Sequence, residues 1–173
     1  MREDIDHSYK IVNLTLNDWQ KAKSIRLEAL QNAPQAFGSS YAKEAAFPIE
    51  KWQSRLIPYS NELKSWSVYA EDEEGNIVGM VGAYVPEDNV PNIVSMYVSP
   101  KARGRGVGSM LVDEVIKQIR LHKEFNVAKL IVNQVQTDAV GLYKKFSFKV
   151  VEECKEKMGD GQEYSAFIME RNI

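Results

Sequence analysis

Residues 103–120, RGRGVGSMLVDEVIKQIR, constrain the fold more than any other part of the chain. Arginines and glycines alternate first, and a strongly amphipathic run follows. On a helical wheel Val107, Leu111, Val112, Val115, Ile116 and Ile119 gather on one half, with Ser109, Asp113, Lys117 and Arg120 on the other. A helix of this kind must bury one face, and its entry is almost bare of side chains. The first turn of any helix holds N–H groups with no acceptor inside the helix, and the peptide dipoles add partial positive charge there. Glycines let a large anion approach those groups, and Arg103 and Arg105 add charge at the same mouth, which suits phosphate or pyrophosphate. The same glycines also suit a turn that lets the helix pack closely on a sheet. Two other phosphate loops fit worse. No Gly-Lys-Ser/Thr follows the glycines, and Ser109 stands where a dinucleotide fingerprint needs its third glycine.

The rest of the chain supplies the partners for that helix. Residues 8–14 alternate like a strand, and a helix is expected over 17–32, capped by Thr15 or Asn17 and ended by Pro34. A looser helical stretch runs through 37–47, and a short helix follows Pro48. Strands are expected at 65–72 and 76–85, joined by the turn EEGN, and at 92–99. After the glycine-entry helix come a strand at 128–135, a short helix at 138–146, and a final hairpin of 148–158 with 163–171. This order predicts one domain over residues 1–173. Its class is α/β of the α+β kind: a mixed central sheet of six to seven strands flanked by four to five helices.

Charge and cysteine usage narrow the function. The formal net charge of −2 disfavours general nucleic-acid binding, which works through phosphates and a basic surface. A weakly acidic chain suits a neutral or cationic small substrate. The single cysteine, Cys154, rules out an internal disulfide and paired zinc thiolates, and reads as a half-buried hydrophobe. The apolar run at 77–85 is too short to span a bilayer, and MREDIDHSYK lacks the apolar core of a signal peptide. The expectation is a cytoplasmic protein with no metal, membrane or nucleic-acid partner.

Two motifs carry a family resemblance. Val98 and Pro100 precede Arg103, Gly106 and Gly108 in the pattern strand–V-x-P–x-x-R-G-x-G-x-G–helix. Further on, Gln136, Ala139, Leu142, Tyr143, Ser147 and Phe148 follow a second strand. Together they resemble the GNAT superfamily of N-acetyltransferases, whose glycine motif is Arg/Gln-x-x-Gly-x-Gly/Ala and whose second motif is Asn-x-x-Ala-x-x-Leu-Tyr-x-x-x-Gly-Phe. The resemblance covers roughly residues 8 to 170. Gln136 replaces the usual Asn, and Ser147 the usual Gly.

The resemblance implies a central sheet splayed in the middle, with acetyl-CoA in the gap between strands 92–98 and 128–133. It places the pyrophosphate on the N–H groups of Arg103, Gly104, Arg105, Gly106, Val107, Gly108 and Ser109. The pantetheine arm would pair with the backbone of Met96, Tyr97 and Val98, with Gln136 and Ala139 on the other wall. The Val98 N–H would meet the thioester carbonyl, and Tyr143 would meet the leaving sulfur as proton donor. The acceptor would be a primary amine of a small molecule, and a homodimer is compatible with the family. The acceptor pocket would be built from residues 26–45 and 84–92, with Arg26, Phe37, Tyr41, Glu44, Tyr84 and Asn92 as lining candidates; aromatics with a carboxylate would suit a cationic amine. An alkyl ammonium of pKa ~10.4 must lose a proton before attack. Glu44, Glu71 and Asp88 are the candidate bases, while His7 and His122 read as surface residues. The alternative function is a non-catalytic acyl-CoA-binding sensor or partner module on the same fold.

Overall fold

The computed structural model describes residues 8–60 and 63–173. Its elements are β1 (Tyr9–Val12), α1 (Trp19–Asn32), α2 (Tyr41–Ala45), α3 (Ile49–Ser54), β2 (Ser65–Asp72), β3 (Ile77–Tyr84), β4 (Asn92–Val98), α4 (Val107–Arg120), β5 (Val127–Asn133), α5 (Thr137–Lys145), β6 (Lys149–Lys157) and β7 (Glu163–Asn172). Most boundaries lie within one or two residues of those read from periodicity; β1 is shorter than the expected 8–14. The turn before α1 is fixed by Asp18, whose carboxylate accepts from the Thr15 N–H at 2.8 Å and hydroxyl at 2.7 Å.

The strands form one seven-stranded sheet in the order β1-β2-β3-β4-β5-β7-β6. All neighbours are antiparallel except β4 and β5, which run parallel. That parallel pair holds for two residues only, Asn92↔Lys129 and Ile93↔Leu130, and the strands then part. The sheet is therefore splayed in the middle. A bulge in β4 accompanies the parting: Gly82 pairs with Val94 and Met80 with Tyr97, so Ser95 and Met96 together face Val81. Ser95 takes the left-handed φ of 60°.

The amphipathic helix does what its sequence requires. Val107, Leu111, Val112, Val115, Ile116 and Ile119 are all buried, packed with Val68, Ala70, Val78, Val81 and Ala83 and with Ala128, Leu130 and Val132 of β5. Burying one such side chain contributes roughly 1.5–3 kcal/mol. Gly79 lets α4 approach β3: a Cβ there would lie 2.9 Å from Leu111. The opposite face of the sheet carries α1, whose Ala22, Ile25, Ala29 and Leu30 cluster with Tyr69, Met80 and Tyr97. The edge strand β6 is exposed along most of its length and displays Lys149, Lys155 and Lys157, which discourages edge-to-edge pairing. Cys154 lies on it half-buried, with burial first and then Glu156 and Glu152 pushing its thiol upward.

Candidate active site

The parting of β4 from β5 leaves one edge of β4 facing a gap. Backbone alternation identifies which groups point there. Ser99 donates to the Val78 carbonyl at 2.8 Å, so its N–H faces β3. Val98, one residue earlier and opposite Gly79, therefore turns its N–H and C=O to the other edge. Arg103 confirms this, since its Nε donates to the Val98 carbonyl at 2.9 Å. The Arg103 side chain thus ties the glycine loop back to the strand end and lies 5.8 Å from the Tyr97 ring centre. A carboxylate on α1, Glu28, accepts from Tyr97 Oη at 3.1 Å and Ser99 Oγ at 2.7 Å, while Asn32 donates to Tyr97 Oη at 3.0 Å. These bonds fix the height of β4 beside the gap.

The gap opens into a cleft of about 940 Å³. Its walls include Met96, Tyr97, Val98, Arg103, Gly104, Gly106, Val107, Gly108, Ser109, Gln136 and Ala139, all expected from the sequence. Arg105 and Tyr143 are not among its lining residues. Gly104 and Gly106 have left-handed φ of 71° and 80°, and Gly106 is the residue immediately before α4. A Cβ at either would meet nothing within 4 Å, so both glycines face open space. Gly108 differs, because a Cβ there would come 3.2 Å from Leu142 and 3.4 Å from Met96. The two sequence readings of the glycines are thus divided: Gly104 and Gly106 shape an open cradle at the mouth of α4, and Gly108 serves packing. The cradle fits a pyrophosphate, with first-turn amides as donors and no side chain in the way.

Helix α5 forms the far wall through Ala139, Gly141 and Leu142. Tyr143, next in sequence, turns into the core. It is 6% exposed and meets Phe148 edge-on at 5.9 Å. Burial pushes its phenol well above the usual value, so it stays protonated. Ser147, at the place where glycine is usual, keeps the left-handed φ of 64° that ends the helix. Asn133 at the end of β5 was not singled out in the sequence. It is buried, donates to the Gln35 carbonyl at 3.3 Å, and accepts from the Val135 N–H at 3.1 Å, holding the mouth of the gap. Gly159 was missed as well. Its N–H donates to the Phe37 carbonyl at 2.6 Å, and a Cβ there would collide with the Ser39 carbonyl, so the β6–β7 turn sits directly on the segment after α1.

A second cavity, of about 230 Å³, lies on the α1 side of the sheet and is lined on β4 by Val94 and Ser95 at the bulge. Arg26, Trp52, Arg55, Ser67, Tyr69 and Tyr84 are among its lining residues, with Val94 and Ser95 from β4. Of the other acceptor candidates, Phe37 lines the larger cleft, while Tyr41, Glu44 and Asn92 line neither space. Glu44 is buried behind the arginines. It accepts from Arg26 Nε at 3.0 Å, Arg26 Nη2 at 2.7 Å and Arg55 Nη1 at 2.8 Å. Burial alone would raise its carboxyl, but the hydrogen bonds and charges of Arg26 and Arg55 outweigh that and bring it down to about 2. A carboxylate so tied is a structural anion, not a base. Glu71 pairs with Lys10 at 3.0 Å, and Asp88 with Lys129; neither lines either space. His122 packs at a tilt against Tyr59 with ring centres 4.0 Å apart and lines neither space, and His7 lies outside the described residues.

Comparison with known proteins follows this geometry. The profile of the Acetyltransferase (GNAT) family matches residues 26–148, well over half of the chain. A GNAT-family acetyltransferase from Streptococcus pneumoniae superposes with a TM-score of 0.76 at 17% identity, over 95% of this chain and 99% of that one. A GCN5-related N-acetyltransferase from Kribbella flavida gives 0.75 at 21%, over 96% and 98%. NAA60 from Arabidopsis thaliana, in complex with acetyl-CoA, gives 0.72 at 17%, over 95% and 98%. No curated protein matches the chain. The fold is shared with all three structures, and the matched span contains both the cradle and the gap: the chain belongs to the acetyltransferase (GNAT) family.

Proposed function

We propose that this chain moves the acetyl group of acetyl-CoA to a primary amine of a small acceptor. One observation carries the reading: the edge of β4 that turns the Val98 N–H outward, left without a β5 partner, lies in the same cleft as the open cradle before α4. Acetyl-CoA supplies a thioester that an amine can attack. The chain supplies positioning and the oxyanion donor, and the proton the amine sheds passes to water, since Glu44, Glu71 and Asp88 are tied in ion pairs. Amides of residues 103–109 hold the pyrophosphate, and the edge of Met96, Tyr97 and Val98 orients the pantetheine arm. The Val98 N–H stabilises the carbonyl oxygen as negative charge develops on it, which favours the transition state over the ground state. Membership of the family supports this. The complex of Arabidopsis NAA60 with acetyl-CoA supports the choice of donor.

Motif position assigns Tyr143 to the leaving sulfur; its ring packs against Phe148 outside the cleft lining, so this role requires the phenol to turn into the gap when CoA is bound. Its raised phenol argues for hydrogen-bond donation from neutral tyrosine rather than full proton transfer to a thiolate. A hydrogen bond to a charged acceptor is worth roughly 1.5–3 kcal/mol, so Tyr143→Phe should lower kcat by about 10–100-fold and leave acetyl-CoA affinity unchanged. An unchanged kcat at saturating substrates removes Tyr143 from the chemistry.

The function itself is tested by following CoA thiol release from acetyl-CoA with a panel of primary amines. Amine-dependent release is the expected result. Tight acetyl-CoA binding with no release by any amine would favour the non-catalytic acyl-CoA sensor. No helix among the described residues is long and apolar enough to cross a membrane.

A further inference from the structure

We infer that the acceptor carries a carboxylate beside the amine it presents, and that Arg55, together with Arg26, recognises that carboxylate in the smaller cavity. This rests on the acetyltransferase reading above and names the substrate class of the same site. The cavity is placed for an acceptor. Val94 and Ser95 line it, and the next three residues of β4, Met96 to Val98, line the cofactor cleft. A molecule seated in it lies against the bulge, one residue from the strand edge that borders the gap.

The charge lining the cavity is of one sign. Two arginines contribute to its wall, and no aspartate or glutamate among the described residues does. Glu44, bonded by both arginines, has a side chain only 2% exposed and sits behind the guanidiniums. It balances one of their two charges and leaves the other uncompensated. The whole chain is slightly acidic, but this cavity is locally basic, which reverses the expectation of a cationic acceptor.

The guanidiniums are also held still. Glu44 grips Arg26 at two points and Arg55 at one. Arg26 lies over Phe37 at 4.8 Å, and Arg55 over Trp52 at 4.9 Å and Phe47 at 5.5 Å. Arg26 Nη1 further donates to Ser95 Oγ at 3.3 Å, on the bulge itself. A planar fork fixed in this way matches a carboxylate with little entropy left to lose. Hydroxyls of Ser65, Ser67 and Tyr69 also line the space. A second positive charge on the acceptor would meet like charge, so polyamines are disfavoured. The same field disfavours the ammonium form of the amine and favours the neutral form that attacks. The volume lies below the ~300 Å³ at which drug-sized pockets begin, which suits a molecule of amino-acid size.

The test uses matched sets: amino acids, their amides, and the corresponding decarboxylated amines, with several side chains. Two readouts run on each compound, CoA release and quenching of tryptophan fluorescence without acetyl-CoA, since Trp52 lines the cavity. For the best side chain, the acid should exceed its amide by tenfold or more in kcat/KM and in affinity. Arg55→Gln should erase that preference by raising KM for the acid with kcat nearly kept, while Arg55→Lys retains part of it. Arg26 still pairs with Glu44 in these variants, and circular dichroism checks the fold. If Arg55→Gln does not fold, the wild-type comparison decides alone. Equal responses within every set, including no response, overturn the proposal, as does preference for amides or decarboxylated amines. Failure of the acetyltransferase reading looks different: acid-selective quenching persists and CoA release is absent.

Discussion

Val98→Pro is expected to lower kcat by about 10²–10³-fold, the loss usual when one oxyanion donor is removed. The substitution deletes a single N–H. That N–H faces the gap, not β3, so the ladder bond from Ser99 to Val78 remains. The residue before a proline must be extended, and Tyr97 already lies within a strand. The fold cost should therefore be small, as for proline on an edge strand. Val98→Ala keeps the N–H and should keep kcat within a few-fold of wild type. Steady-state kinetics at saturating acetyl-CoA separates the cases. A proline variant with near-normal kcat would mean that the carbonyl oxygen is stabilised by another group.

Glu44→Gln is expected to cost about 3 kcal/mol of stability or somewhat more. The amide keeps the shape and removes the charge that compensates Arg26 and Arg55. Breaking a buried ion pair from one side typically costs about 3–5 kcal/mol, because the remaining charge is left unpaired. Here the arginine side chains are 12% and 31% exposed, so the lower end applies. For a chain of this length that lowers Tm by about 6–12 °C. The pH dependence follows from the same carboxyl. Its value falls from 4.5 to about 2 on folding, so the unfolded chain binds the proton more readily. The stabilisation, again about 3 kcal/mol, is complete above pH ~4.5 and disappears as pH falls towards 2. Wild type should lose this increment on acidification between those limits, and Glu44→Gln should lack it. Parallel acid-stability curves for the two proteins would contradict the assignment.

Much of the fold was legible because periodicity and punctuation are local. The face of α4, the hairpin at EEGN and the glycines before α4 could each be read within a dozen residues, and most of the motif residues line one cleft in the structure. What escaped depends on contacts distant in sequence. Glu44 on a short helix reads as an available carboxylate. It becomes a buried anchor only when Arg26 and Arg55, 18 and 11 residues away, close on it in the fold. The basic character of the smaller cavity was hidden for the same reason, since net charge averages over a surface that the cavity does not share. The bulge at Ser95 has no sequence signature, because a left-handed serine looks like any serine. Gly159 reads as an ordinary turn glycine, and only the fold sets it against Phe37 and Ser39.

Amide hydrogen exchange with and without acetyl-CoA tests the central claim most directly, because the account names the amides. Acetyl-CoA should slow exchange at residues 104–109, in the cradle before α4, and at Val98, with little change in β6 and β7. Protection confined to other parts of the chain, or none at saturating acetyl-CoA, would contradict a cofactor seated between the first turn of α4 and the open edge of β4.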